Sequence, residues 1–545
     1  MLRHIRVLVI MGVVGVLAAC SGTADPRVDQ SAAPRTGSTD INAQPRDALK
    51  PGGTLHLSIQ QWITQYNVGQ VDGTQGDGQA ILAMTQPRLW YSDESAKPVA
   101  NPDVLISAGA AGPVVTYRLN PKATWSDSTP ITWQDFATQW KTRNGTDKRF
   151  QLSSSTGYDV ITDVAKGADE REVKVTFREP YADWQSLFDP LLPGSALDTP
   201  EKFNTGWLEK IPVWGGPWKI GTADKTSQTI TIVPNPAYWG VKPVLDSIVF
   251  RALDSAAITD AYLNNEIDQA PARQPDDYKR LSPAPDTRIR TGGRWDQTVL
   301  ELGSRGPLAD VRVRQAIAAA IDRDAIARAQ SSGLPFAVHT VGNHFLMPSQ
   351  DGYQDNAAKF DVAAAGSLLD GAGWTAAADG RSRAKGAQPL KLTYVVSASS
   401  TSAVPQLIQN MLAQAGITVE LRKVPGNDFF EKYVNRGSFD LVSFRNVDQV
   451  FPSLSYPIYL STGEQNYGRI GTPEIDGLIG QAAAETDHTR QAALLNRIDV
   501  LLWQEGHSVP LFQTPQILAV RAGLANFGAY GLRDDRQYTE VGFVR

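Results

Sequence analysis

The run from 390 to 452 constrains the fold more than any other stretch. Residues 390–396 read as a strand, Pro405 opens a helix through Leu407, Ile408, Met411, Leu412 and Ala415 that Gly416 ends, and 417–421 is a second strand. Phe429, Phe430, Tyr433 and Val434 suggest another helix before a third strand, 439–444. Strand-helix-strand-helix-strand favours parallel pairing and a sheet covered on both faces. Ligands of such sheets sit outside the carboxyl ends of the strands. Two loops qualify: the hydroxyl-rich 397–402, which contains Ser399, and 445–452, which carries Arg445, Asn446 and Asp448 to Pro452.

The chain has 545 residues, 42% hydrophobic and 20% charged, long enough for two to four domains with their own cores. Fibrous and wholly disordered readings fail on that balance. Net charge is -5, and no long basic run or Arg/aromatic patch stands out, so nucleic acid is not an expected partner.

Arg3, His4 and Arg6 precede an apolar run, 7–17, too short to span a bilayer comfortably but suited to a signal-peptide core. It ends in Leu17-Ala18-Ala19-Cys20, and Cys20 is the single cysteine of the chain. This pattern resembles the lipobox of bacterial lipoproteins, which implies cleavage before Cys20 and a diacylglyceryl group on its sulfur. Residues 1–19 are then a signal peptide, and the exported chain folds without a disulfide. From 20 to 51 the residues are mostly Ser, Ala, Pro, Gly and Asp, which predicts a flexible tether with the folded part beginning near Gly52.

Residues 52–59 alternate as a strand after Gly52-Gly53. The Gly/Asp-rich 69–78 is a bland loop: a calcium loop needs an oxygen side chain where Gly76 stands. Between 86 and 207 short alternating strands such as 114–119 and 173–177 indicate an antiparallel sheet. Thr132 and Asp135 have capping-box spacing at a helix start, and Trp125, Trp133 and Trp140 read as core. Further on, Asp310 and Asp322 are helix caps; Val313, Ala316, Ile317, Ala320 and Ile321 share a face, leaving Arg312, Arg314 and Arg323 on the outer one. Residues 473–483 and 489–503 are helical.

Several blocks, in order, carry a family resemblance. They are Asn101-Pro102-Asp103-Val104-Leu105, the weakened Thr124 to Phe136 signature, Gly216-Pro217-Trp218 and Asn235-Pro236-Ala237-Tyr238-Trp239-Gly240. Val311 to Ala316 with Ala320-Ile321-Asp322-Arg323, and Ala372-Gly373-Trp374, follow. From about Gly52 to its end the chain resembles the extracellular solute-binding proteins of family 5, which include the oligopeptide- and dipeptide-binding proteins of ABC importers. The resemblance implies an α/β, two-lobed periplasmic-binding-protein-like fold of type II, in the large cluster with an extra small domain. It implies a first lobe from 52–85, 208–292 and 510–545, an inserted domain at 86–207, and a second lobe at 293–509. Crossovers near 291–300 and 506–512 would form the hinge.

The same resemblance implies that a carboxylate four residues before a proline receives the α-amino group of a peptide, and counting back from Pro452 reaches Asp448. Arg445 stands where the family has Trp and Phe451 where it has a second Asp; Arg445 could pair with Asp448 in the empty site. The expected function is capture of peptides, or a related amine-bearing solute, for a membrane permease and its ATPase. The protein is expected as a monomer with no cofactor or metal, exported and lipid-anchored at the outer face of the cytoplasmic membrane. An envelope-associated relative binding a glycolipid or oligosaccharide is the alternative. Peptidase activity is a weaker one: no His-Glu-x-x-His or Gly-x-Ser-x-Gly is present, and His339 and His344 read as loop residues.

Overall fold

The structure is a computed structural model that describes residues 39–377, 382–398, 400, 402–447, 450–533 and 537–545. Cys20, Ser399 and Asp448 lie outside the described residues. The principal elements begin with β1 (Thr54–Ile59) and α1 (Gly76–Thr85). A separate antiparallel sheet follows: β2 (Leu105–Ala111), β3 (Val114–Leu119), β4 (Ile161–Lys166) and β5 (Glu172–Phe177), in the order β2-β3-β5-β4. Helix α2 (Trp133–Arg143) lies between β3 and β4 in sequence and packs on this sheet.

The chain then returns to β1 with β6 (Trp218–Asp224), β7 (Thr229–Pro234) and β8 (Ser247–Ala252), giving a sheet ordered β1-β8-β7-β6. Next come β9 (Gln269–Pro271) and the 16-residue β10 (Thr287–Leu302). Helices α3 (Val311–Ala319), α4 (Arg323–Ser331) and α5 (Val362–Gly371) lead to β11 (Lys391–Ser397), α6 (Val404–Gln414), β12 (Thr418–Val424) and β13 (Leu441–Val447). Last are α7 (Pro473–Ala484), α8 (His488–Glu505) and the 14-residue β14 (Ser508–Arg521).

The six-stranded sheet is ordered β9-β14-β10-β13-β11-β12. As expected from 390–452, β11 runs parallel to both β12 and β13. One face carries Leu300, Leu302, Leu392 and Leu441 against Val313, Ile317, Ile408 and Leu412 of the helices, all nearly inaccessible. The other packs Val395, Val424 and Val442 against Phe429, Val434 and Phe439. Burying each such side chain contributes about 1.5–3 kcal/mol, so the alternation of apolar residues fixes the register.

The caps are where the sequence puts them: Asp310 and Asp322 accept the amides of Arg312 at 3.0 Å and Ala325 at 2.8 Å. Asp135 accepts the Thr132 amide at 2.9 Å, and its other oxygen holds Trp125 Nε1 and the Gly194 amide, which ties the tryptophan into the core of the 86–207 part. Two expectations change. Arg314 is buried, donating to the carbonyls of Leu308 and Glu505 at 2.8 Å each, because Gly506, at φ 58°, ends α8 directly over it. A Cβ on Gly506 would lie 2.6 Å from the Arg314 Cβ.

The second change concerns the tether, whose last residues are folded. Asp40 donates to the Ala529 carbonyl at 2.7 Å, and Leu49 and Lys50 pair antiparallel with Val544 and Phe543. A two-residue strand leaves little trace in composition; it forms because the far end of the chain supplies its partner. Among the described residues no helix is long and apolar enough to cross a membrane.

Glu301, on β10 between Val442 and Ser508, is 2% exposed and its Oε1 has no hydrogen-bond partner among the described residues. Burial pushes its carboxyl from the ordinary 4.5 up to about 8. Between those two values the folded chain holds a proton that the unfolded chain has released, so stability falls as pH rises through that window. Glu301→Gln should therefore gain stability over the wild type with rising pH, by ~1.4 kcal/mol per pH unit within it. Urea unfolding at pH 5, 6.5 and 8 measures this, and a difference independent of pH would contradict it.

Candidate ligand-binding site

Strands β10 and β14 form one antiparallel ribbon from Thr287↔Arg521 to Glu301↔Ser508. Its lower part packs residues such as Leu518 and Val520 into the core around β1, and its upper part packs Leu300 and Val509 against α3 and α6. Between these halves the register slips twice, from Gly293 to Gln297 and from Thr298 to Val299. Such bulges bend and twist a ribbon. The expected crossover near 291–300 spans this irregular middle, while 506–512 reaches it only at Pro510 and Phe512, which pair with Val299 and Thr298. At Gly293 a Cβ would sit 2.7 Å from Nε2 and Oε1 of Gln513, so a larger residue there would displace that carboxamide.

Strand β13 brings Arg445 and Asn446 to this bend. Asn446 pairs with Gln297, and Gln297 pairs on its other side with Gln513, so three carboxamides cross three neighbouring strands at one level. They are 8%, 1% and 2% exposed. Gln297 Nε2 donates to the His344 carbonyl at 3.3 Å and Gln513 Nε2 to the Arg294 carbonyl at 2.8 Å. Asn446 Nδ2, Gln297 Oε1 and Gln513 Oε1 have no partner among the described residues. Each stranded atom costs about 1–3 kcal/mol. A polar row of this kind is the least comfortable part of the buried bend.

The charges gather around Asp296, whose side chain is 2% exposed. Arg294 Nε lies 3.0 Å and Arg445 Nη1 3.3 Å from its Oδ2. Arg273 is close enough that its guanidinium is held below the usual range, first by burial and then by the like charge of Arg445. The ion pair of Arg445 among the described residues is thus with Asp296. Asp296, Gln297 and Gln513 escaped the sequence reading, in which both strands counted only as crossovers. The run Arg294-Trp295-Asp296-Gln297, which brings two charges and a carboxamide directly ahead of the apolar Val299-Leu300, was the available signal.

Beyond β13 the chain is described again at Val450. Val450 packs against an apolar group drawn from distant parts of the sequence: Ala96, Trp295, Val341, Met347 and Leu532. Trp295 Nε1 donates to the Leu532 carbonyl at 2.7 Å. Pro452 then opens a single 3-10 turn, Pro452–Leu454. Inside it the Ser453 amide donates to Asp183 Oδ2 at 2.6 Å, and Tyr181 donates its hydroxyl to Ser453 Oγ at 3.0 Å.

The remaining candidates separate from this site. His344 is fully buried, Nδ1 2.5 Å from Asp499 Oδ1, with Nε2 facing the Ser508 carbonyl at 3.4 Å, an arrangement that holds a core together. A groove of about 510 Å³ is lined by His56, Thr229, Arg251 and Glu266, and another of about 470 Å³ by Asp324, Arg328 and His339. Neither includes a residue of the carboxamide row or the Asp296 cluster. Among the described residues no group of three His, Cys, Asp or Glu is placed to hold a metal ion.

Comparison with known proteins gives a consistent picture. The model for the bacterial extracellular solute-binding proteins, family 5 (middle part), matches residues 109–468. The chain is 38% identical over 546 residues to the oligopeptide-binding protein OppA of Mycobacterium tuberculosis, across 97% of this chain and 92% of that one. It is 31% identical over 287 residues to LpqW of the same organism, a probable monoacyl phosphatidylinositol tetramannoside-binding protein, across 50% of this chain and 44% of that one. Among solved structures, the periplasmic EDTA-binding protein EppA matches with a TM-score of 0.85 and 26% identity, covering 93% of this chain and 99% of that one.

Removing the carboxylate at the centre of the charge cluster leaves Arg294, Arg445 and Arg273 without it. A fully buried pair broken in this way costs about 3–5 kcal/mol, and the partial exposure of Arg294 and Arg445 reduces that. Asp296→Ala should lower unfolding stability by ~2 kcal/mol in low salt, and Asp296→Asn by less. A urea-unfolding midpoint equal to wild type would show that the carboxylate does not hold the cluster.

Proposed function

The chain belongs to the bacterial extracellular solute-binding proteins of family 5, and from that premise we propose that it is the exported receptor subunit of an ABC importer for peptides. Its fold is the mixed α/β, two-lobed fold of type II periplasmic binding proteins. The observation that carries the peptide reading is the 38% identity to an oligopeptide-binding protein over 97% of the chain. The ribbon of β10 and β14 supports it, because a bend with two register slips between two packed cores suits rotation of one lobe on the other.

In this proposal the lobes comprise 52–85 with 208–292 and 510–545, and 293–509, while 86–207 is the inserted small domain. A peptide enters between the lobes and presents its ammonium to Asp448, beside Arg445 and Asn446, with Ser399 on the neighbouring loop. An ammonium taken out of water needs a matched anion, which the carboxylate supplies. The closed form is handed to a permease driven by its ATPase. Cys20 carries the lipid that tethers the monomer to the outer face of the cytoplasmic membrane.

A second reading is favoured by one observation, the 31% identity over half of the chain to LpqW, the probable monoacyl phosphatidylinositol tetramannoside-binding protein. Native mass spectrometry of the protein as purified separates the two: small peptides support import, and a mannosylated lipid supports the envelope role. Asp448→Asn should weaken binding of free-amino peptides by ~2–5 kcal/mol, about 30-fold or more, and barely alter binding of N-acetylated ones. Titration calorimetry that gives the mutant and wild type equal affinity for free-amino peptides would remove Asp448 from the site.

A further inference from the structure

Buried carboxylates from other parts of the fold hold β13 near its end and the turn at Pro452. On β13 Arg445 pairs with Asp296; in the turn Pro452–Leu454 Asp183 accepts the Ser453 amide at 2.6 Å. Asp183 belongs to the 86–207 part, whose core is separate from the one beneath β13. It is 4% exposed and is rigidly mounted, because Trp184 next to it packs edge-on against Trp90 at 5.4 Å and Tyr117 at 5.5 Å. Tyr181, two residues earlier, stacks on Phe177 at 5.4 Å and donates its hydroxyl to Ser453 Oγ.

The same turn grips the helices behind the loop. Ala182 donates its amide to the Ala483 carbonyl at the end of α7 at 2.8 Å, and Gln491 Nε2 of α8 lies 3.4 Å from Asp183 Oδ1. These contacts all cross from 181–183 to 453–491. A buried carboxylate is costly unless its oxygens are satisfied, and here the acceptors meet donors only while the two parts are docked. Undocked, Asp183 returns to water and the Ser453 amide loses its partner.

We propose that Asp183 is a positioning residue for ligand capture: it seats the turn from Val450 to Ser453 only when the 86–207 part is docked on the second lobe, so that docking and the placing of this turn become one event. This rests on reading 445–452 as the ligand loop. Burial pushes the Asp183 carboxyl up, with Tyr181, Tyr456 and His488 as the titratable groups around it, consistent with a contact made at a cost.

The test uses the full chain with Cys20→Ser and spin labels at Lys174→Cys on β5 and Asn410→Cys on α6, both exposed positions. Pulsed dipolar spectroscopy reads their separation with and without pentaalanine, and calorimetry reads the pentaalanine affinity. Asp183→Leu should lengthen the separation and weaken binding ~10-fold or more, whereas Asp183→Asn, which keeps an acceptor oxygen, should stay within ~3-fold of wild type. Tyr181→Phe should shift both in the same direction by a smaller amount.

A lowered thermal midpoint in Asp183→Leu with unchanged distances and affinity would overturn the proposal, leaving a purely structural role. If Asp183→Leu does not fold, Tyr181→Phe and Asp183→Asn decide it, and identical distances and affinities in Tyr181→Phe and wild type overturn it. If the wild type does not bind pentaalanine, the peptide reading fails, while the distance comparison still judges Asp183.

Discussion

The antiparallel ribbon of β10 and β14 is the constraint on which the rest depends. Its two halves belong to two hydrophobic cores, and every hydrogen bond of its ladder links 287–302 to 508–521. The bend between them therefore cannot move without shifting both cores. The carboxamide row and the Asp296 cluster lie in that bend, where the ladder is interrupted and backbone pairing is weakest. A solute that supplied hydrogen bonds there would favour one setting of the lobes over another.

Polar groups around the bend differ in how well they are satisfied. Asp183 and the Asp499–His344 pair sit among donors at 2.5–2.8 Å. Asn446, Gln297 and Gln513 each keep one atom without a partner among the described residues. Fully satisfied networks rigidify a fold, whereas partly satisfied ones mark places where another arrangement can compete.

Much of the fold was legible because it follows from short-range rules. The strand patterns at 390–396 and 439–444, the caps Asp310, Asp322 and Asp135, and the stop at Gly416 are decided by neighbours within a few residues. The folded stretch at Leu49–Lys50 was not legible, since its partner is at the other end of the chain. The site was legible only in part. Arg445 and Asn446 were legible as part of an expected loop, 445–452, although β13 in fact runs on through Val447, whereas Gln297, Gln513 and Asp296 become relevant only once strand register sets them beside that strand. Arg314 misled for a related reason: helical periodicity put it outside, and Gly506, from a helix far along the chain, encloses it.

The pairing of β10 with β14 also sets an order of events for the growing chain. Strand β10 ends at Leu302 and β14 begins at Ser508, so some two hundred residues must emerge before the ribbon can close. Until then neither large core has its last strand, because Leu518 and Val520 complete one and Val509 and Leu511 the other. The polypeptide is thereby kept from locking early. The delay is built into the connectivity: the strand that ties the two cores together arrives some two hundred residues after its partner.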